Sequence, residues 1–376
     1  MIEIRVVRDD KDIETFIKLP LKLYRLDTRY VPQLTSELKR DISAKNPFVH
    51  SNEVAYFLAF NGNECVGRVA AIVNRTHLEH HKDGAGFFGF FECVDDTAVA
   101  AALLDRAAGY LRERGLLVMR GPASFSTNDE CGLLIEGYGF PPVLMTPYNP
   151  PYYVRLIEAC SMNKAKDLFA YKVAIGSYGP NLEKIPQQIS RVARIAQERY
   201  GVKFRKVDIG HLDQEVEMLK PIYRQAWSKN WGALPMSDAE YGQLVGQLRQ
   251  VFAPEMSYLA FIDDKPVGVF IVLPDYNQVA AHLGGRLFPL GWLKFLWYRR
   301  KIDAVRVLIM GVLEEHRLKG IESLFYQEAC RVAARKGIVW GEMSWILEDN
   351  YRVIRGIEAM GGKVYRRYRI YDVATR

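Results

Sequence analysis

The chain has no run of about 20 consecutive apolar residues, the length a helix needs to cross a bilayer, which excludes a transmembrane helix. Its first residues, MIEIRVVRDD, lack a basic patch followed by an apolar stretch, so no signal peptide is expected. The five cysteines, Cys65, Cys93, Cys131, Cys160 and Cys330, stand singly, without a CxxC pair. That argues against a disulfide framework and a zinc site, and for buried thiols in a reducing cytosol. No metal is expected. GxxxxGK[ST] is absent, no GxGxxG follows a strand, and no nucleic-acid-binding motif is recognisable. Nucleic acid is therefore not an expected partner.

What is present is a folded, basic protein. The 376 residues are 49% apolar, 25% charged and 12% aromatic, more chain than one core usually serves, so two domains are expected. A net charge of +7 allows an anionic partner, a phosphate ligand or an acidic membrane surface, without choosing between them.

The most informative run spans residues 305–350. Residues 305–312 are almost all Val, Ile, Leu and Met, as in a strand buried on both faces. From Ile321 the apolar residues recur at helical spacing until Lys336-Gly337, a C-terminal stop signal, and residues 338–347 read as the next strand. Between strand and helix, Arg317, Lys319 and Gly320 offer two readings. One is a pyrophosphate cradle on a helix N-terminus; the other is a basic solvated turn with glycine for geometry.

The chain also repeats itself. Leu58-Ala59-Phe60 and Val66-Gly67 return as Leu259-Ala260-Phe261 and Val267-Gly268, an offset of 201 (58 to 259). Arg155, Ile157-Glu158-Ala159, Tyr171 and Val173 return as Arg355, Ile357-Glu358-Ala359, Tyr371 and Val373, an offset of 200 (155 to 355). In between, the helix-ending Gly115 matches Gly337 at an offset of 222 (115 to 337). The chain reads as a duplicated unit with boundaries 1–175 and 176–376, the second copy enlarged near 274–304 and the first near 121–148. At the turn, the first copy has Asp95-Asp96 and no glycine or base, so anion binding is expected only in the second.

The enlargements are the candidates for specificity. In the first, Ser126, Asn128 and Glu130 concentrate polar groups directly after a strand, where α/β proteins place substrate contacts, although the same residues are ordinary turn formers. In the second, residues 285–301 join Trp292 and its apolar neighbours to Arg299-Arg300-Lys301. Three readings remain open: an element at a membrane interface, a lid over a long chain, or an extra helix on the core. Trp227 and Trp231 follow the second copy's first helix, near the expected acceptor pocket.

Strand, Arg317-x-x-Gly320-x-Glu322, helix, strand and Asn350 together resemble the acyl-CoA core of the GNAT acyltransferases, with motif [Gln/Arg]-x-x-Gly-x-[Gly/Ala]; Glu322 departs from it. GPASFSTNDECGLLIEGYG, TPYNPPYY, KAKDLFAY, WSKNWGALPM, GRLFPLGWLKFLWYRRK and EMSWILEDN resemble the tandem-GNAT, bacterial ceramide-synthase-like family over most of the chain. The resemblance implies an α/β fold with two GNAT-like mixed-sheet domains. It implies an N-acyltransferase using acyl-CoA or acetyl-CoA as co-substrate and an amine acceptor, a sphingoid-base-like lipid amine in the best-defined members. It also implies a cytoplasmic protein, peripheral on the inner membrane face if residues 285–301 dock there.

For acyl-CoA, the implied contacts are Gly311, Val312, Arg317, Lys319, Gly320, Ser323 and Asn350, and for the acceptor Ser126, Asn128, Glu130, Trp231 and Trp292. A backbone N–H at Gly311 or Val312 is the expected oxyanion donor; Glu342 is the first choice for the base, with a structural carboxylate paired to a neighbouring Arg as its other reading. Many GNAT enzymes place a tyrosine acid seven residues after the motif Asn, but here that position is Ile357. Tyr365, Tyr368 and Tyr371 are the substitutes, with Tyr371 assigned the role. A catalytically inactive tandem-GNAT scaffold that binds lipid or a protein is the rival reading, favoured by Glu322 and Ile357 and opposed by Arg317 and Gly320.

Overall fold

The computed structural model describes residues 1–249 and 251–375. The first copy runs β1 (Ile2–Val6), α1 (Asp10–Leu23), α2 (Thr35–Asp41), α3 (Pro47–Ser51), β2 (Glu53–Asn61), β3 (Glu64–Val73), α4 (Arg75–His81), β4 (Ala85–Cys93), α5 (Thr97–Arg112), β5 (Val118–Gly121), β6 (Leu133–Glu136), α6 (Tyr152–Ala159) and β7 (Asn163–Val173). The second runs α7 (Gln187–Glu198), β8 (Lys203–Lys206), α8 (Leu212–Trp227), α9 (Asp238–Leu248), β9 (Tyr258–Ile262), β10 (Lys265–Pro274), α10 (Asn277–Ala280), α11 (Gly291–Tyr298), β11 (Ala304–Val312), α12 (Ile321–Arg335), β12 (Trp340–Leu347), α13 (Tyr351–Ala359) and β13 (Lys363–Ala374).

Local chemistry explains many of these boundaries. Asp9 and Asp96 cap α1 and α5 with their carboxylates, and Ser237 with Glu240 forms a reciprocal capping box on α9. Gly62, at φ 59°, supplies the left-handed residue that the tight β2–β3 hairpin needs.

All the strands join one mixed α/β sheet in the order β1-β2-β3-β4-β5-β13-β7-β12-β11-β10-β9-β8, with β6 pairing β13 beside it. The two copies exchange their last strands. β7 of the first pairs with β12, and β13 of the second pairs with β5. β7 and β13 then pair with each other, with Tyr368 directly opposite Leu168, its own counterpart at the repeat offset of 200 (168 to 368). A pseudo-twofold axis therefore passes through that pair. Tyr171, Val173, Ile357 and Met343 pack into one core with α7 and α12; Tyr371, Ile157 and Met119 pack into another with α5 and α6.

Candidate active site

In each copy the sheet opens at one place, because two parallel strands pair only at their beginnings. β11 and β12 pair through Val307 and Met343, after which β12 continues on β7 and β11 on β10. The V between them widens into a cleft of about 430 Å³, lined by residues 306–312 on one side and 343–347 on the other. Leu313 donates its N–H to Val267 on β10. By strand alternation Gly311 also belongs to that ladder, whereas Val312 turns its N–H into the V. The Val312 carbonyl faces the same way and accepts from Arg317 Nε at 3.4 Å. Gly311 serves the cleft differently: a Cβ there would lie 2.5 Å from the Trp227 ring.

The corresponding V of the first copy is plugged. Cys93 lies opposite Gly67 as Val312 lies opposite Gly268, which makes Cys93 the counterpart of Val312. Its N–H donates to the Tyr153 hydroxyl at 2.9 Å, and Tyr153 in turn donates to Glu92. The chain after β5 crosses the mouth, where Ala123 N–H bonds Phe88 at 2.9 Å. The offset between these counterparts is 219 (93 to 312), so part of the second copy's gain lies in the turn before α12 rather than ahead of β11.

The turns differ as the sequence suggests. Asp96 accepts from the Ala98 amide in the first turn of α5, and Asp95 pairs with Arg155, so that helix end is capped by a carboxylate. Gly320 heads α12 with no side-chain cap, leaving its amides available. It adopts φ 83°, and a Cβ would meet the Val192 carbonyl oxygen at 2.7 Å. Arg317 lies in the cleft, also reaching the Ala226 carbonyl at 3.4 Å, whereas Lys319 bonds His316 Nδ1 at 3.0 Å. Ser323 is in the first turn of α12 and outside the cleft lining. Glu322 lines the cleft but its carboxylate is paired with Arg352, which removes most of its repulsion toward a phosphate. Asn350 caps α13 through Val353 N–H and also borders the cleft.

The first copy's enlargement forms the opposite wall. Ser126, Asn128 and Trp231 line the cleft. Thr127 bonds the Gly232 carbonyl, and Asn128 Nδ2 donates to the Leu234 carbonyl at 3.2 Å, locking the wall to the loop after α8. Glu130 sits behind it, accepting from Gln33. Trp292 lies apart, on α11, 44% exposed.

Glu342 is fully buried on β12, outside the cleft lining. It accepts from Ser344 Oγ at 2.6 Å and from the Tyr365 hydroxyl, with Arg306 Nε at 3.9 Å. Ser344 and Arg306 do border the cleft, so Glu342 touches it only through them. Tyr371 lies opposite Gly121 and donates to Glu158 at 3.1 Å in the first copy's core, because strand exchange carries β13 away from its own copy. Tyr368 is buried and also outside the cleft.

Asp129, unassigned by sequence reasoning although flanked by two candidates, lines the cleft and accepts from Ser126 Oγ at 2.7 Å. Removal from water, reinforced by Glu240 and Glu130, pushes its carboxyl up to about 7 despite that hydrogen bond. A carboxylate poised there is suited to proton transfer at neutral pH. The sequence signal was the run Ser-Thr-Asn-Asp-Glu itself; the charge of Glu240, on α9 and distant in the chain, adds to the effect of burial.

Together these features define a tandem GNAT-like fold with an open cleft in its second copy. A tandem GNAT protein from the clavulanic acid biosynthesis pathway shares the fold, with TM-score 0.61 at 11% identity, covering 100% of this chain and 99% of that one. A GCN5-related N-acetyltransferase from Sphaerobacter thermophilus superposes with TM-score 0.55 at 14% identity, covering 100% and 96%. No protein-family profile matches the chain. Among curated proteins, it is 34% identical over 383 residues to the bacterial ceramide synthase of Caulobacter vibrioides, covering 98% of this chain and 96% of that one. It is likewise 34% identical over 378 residues to protein YghO of Escherichia coli K12, covering 98% and 94%. The chain belongs to the bacterial ceramide synthase family. Family and fold make it an N-acyltransferase of GNAT type, for which acyl-CoA or acetyl-CoA is the implied co-substrate.

Proposed function

We propose that the protein transfers a long acyl chain from acyl-CoA to the amine of a sphingoid-base-like lipid, using the cleft of the second copy (176–376) and the first copy (1–175) as its wall. The observation that carries this is the contrast between the two V-shaped openings: the Val312 N–H faces an open cleft beside the uncapped head of α12, whereas its counterpart is plugged by Tyr153.

In this reading the α12 amides and Arg317 hold the pyrophosphate, with Lys319 and Ser323 at the margin and the thioester carbonyl directed at Val312. The neutral amine attacks the carbonyl carbon, and the Val312 N–H stabilises the resulting oxyanion. Asp129 takes the proton from the nitrogen. Collapse expels the CoA thiolate, which is protonated from solvent, and leaves an amide. Glu342 orients Ser344 and Arg306 beneath the reacting groups. Ser126, Asn128 and Trp231 contact the acceptor.

A lipid acceptor is supported by the name of the Caulobacter relative, since a ceramide is an N-acylated long-chain amine. Residues 285–301 fit delivery from a membrane surface. Phe288, Leu290, Trp292, Leu293, Leu296 and Trp297 are each at least 44% exposed, with Arg299, Arg300 and Lys301 following them. No described helix is long and apolar enough to cross a membrane, so contact would be at one face.

The test is incubation of the purified protein with acyl-CoAs of several chain lengths and long-chain amines, following free thiol and N-acyl product by mass spectrometry. Product with a lipid amine is expected. Bound acyl-CoA without product in the presence of any amine would support the scaffold reading instead.

A further inference from the structure

A second cavity adjoins the cleft, between α8, α9 and the sheet, with a volume of about 80 Å³ and a lining almost wholly apolar. Tyr223, Met236, Leu244 and Ile309 border both spaces, so the cavity lies beside the cleft as a side branch behind these four side chains. Val216, Val245, Leu248 and Phe252 line it without bordering the cleft. The nearby Glu215 carboxylate is paired with Arg205 at 2.8 Å.

Resting on the function proposed above, we propose that this branch receives the distal part of the donor's acyl chain and sets the acyl length the protein accepts.

The direction of β11 carries the choice of donor over acceptor. The thioester carbonyl belongs at Val312, near the strand end that leads to the phosphate-facing turn. From there the acyl chain leaves in the other direction, and three residues back along the strand, a distance of about 10 Å, stands Ile309 at the branch. Ile309 and Gly311 share one face of β11 by alternation, the face toward α8, where Trp227 packs on Gly311 and Ile309 joins the core with Ile222. Tyr223, stacked on Trp227 with ring centroids 4.6 Å apart, stands where cleft and branch meet. The acceptor amine has to reach Asp129 among the polar residues of the first copy's loop, and the amine's own chain-length preference is what tells the two occupants apart. An aliphatic chain gains on leaving water for such a lining, and a polar ligand does not.

Calorimetric binding of acetyl-, octanoyl-, dodecanoyl- and palmitoyl-CoA to the unmodified protein reads the branch without requiring turnover. Affinity is expected to rise with chain length. Val245→Phe, which fills the branch, should weaken palmitoyl-CoA relative to octanoyl-CoA by about tenfold or more, and Leu248→Ala should shift the preference toward longer chains. If Val245→Phe does not fold, Leu248→Ala alone decides the matter, since an enlarged branch must still move the profile. Equal affinity for acetyl- and palmitoyl-CoA in the unmodified protein overturns the proposal and leaves acyl transfer standing. An unmoved profile in both variants does the same. A variant that alters preference for the amine's chain length, with octanoyl-CoA held constant, assigns the branch to the acceptor and also overturns it. Absence of any acyl-CoA binding overturns the function proposed above as well.

Discussion

The Cys93 N–H donates to the Tyr153 hydroxyl at 2.9 Å, filling in the first copy the position that stays open at Val312 in the second. Tyr153, together with the chain after β5 that crosses the mouth, thus closes one V and leaves the other open within the same sheet. Because the Val312 N–H points away from the β10 ladder, Val312→Pro removes an oxyanion donor without removing a strand hydrogen bond. Turnover is expected to fall by about 10²–10³ with acyl-CoA binding retained. Stopped-flow kinetics beside circular dichroism checks this, and an unchanged rate would remove Val312 from the mechanism.

Asp129→Asn should lower turnover by roughly 10²–10⁴ at neutral pH. With its carboxyl at about 7, the unmodified protein gains the basic form as pH rises, so activity should increase through that range. The limb should vanish in the variant. Glu342→Gln breaks the charge opposite Arg306 and should cost about 1–3 kcal/mol of stability while keeping the pH limb. A limb lost in Glu342→Gln and kept in Asp129→Asn would reverse their roles.

Arg352→Ala leaves Glu322 unpaired at the cleft mouth, and acyl-CoA affinity should drop about fivefold, the scale of a partly exposed pair. Removing Glu322 as well should restore it. The double variant Arg317→Ala with Lys319→Ala should weaken binding further, about tenfold, with the fold intact. Titration calorimetry at two ionic strengths separates charge from packing.

Asp275 is held by the Leu144 and Asn277 amides, and burial pushes its carboxyl from the ordinary 3.8 up to about 7. The folded state therefore holds its proton while the unfolded state releases it. Stability from this group is complete below pH 3.8 and is lost as pH rises toward about 7. Asp275→Asn should be more stable than its parent at pH 8, by up to about 4 kcal/mol, with the difference vanishing in acid. Thermal unfolding across pH measures it.

Trp297→Ala combined with Arg299→Glu and Arg300→Glu should abolish co-sedimentation with anionic phospholipid vesicles. All three side chains lie on or directly after α11, which has no buried residue. Retained sedimentation would leave residues 285–301 without a membrane role.

The duplication, the uncapped turn before α12 and most strands and helices were legible in the chain, because each rests on local pattern. Apolar periodicity marks β11 and α12, Asp95-Asp96 marks the satisfied turn, and Arg317 with Gly320 marks the open one. Ser126, Asn128 and Trp231 were placed on the cleft for the same reason, following a strand or a first helix. Tyr371 was not, since its surroundings depend on which β5-type strand β13 joins, a pairing between residues far apart in sequence.

By itself, then, the sequence determined the repeated unit, its unequal turns and its family. Only the tertiary structure decided that the last strands exchange, that Tyr153 plugs one V and that Asp129 becomes the carboxylate with the raised pKa. Strand partnering is chosen by long-range burial, and a pKa by the dielectric that burial creates, and neither is written in the residues next door.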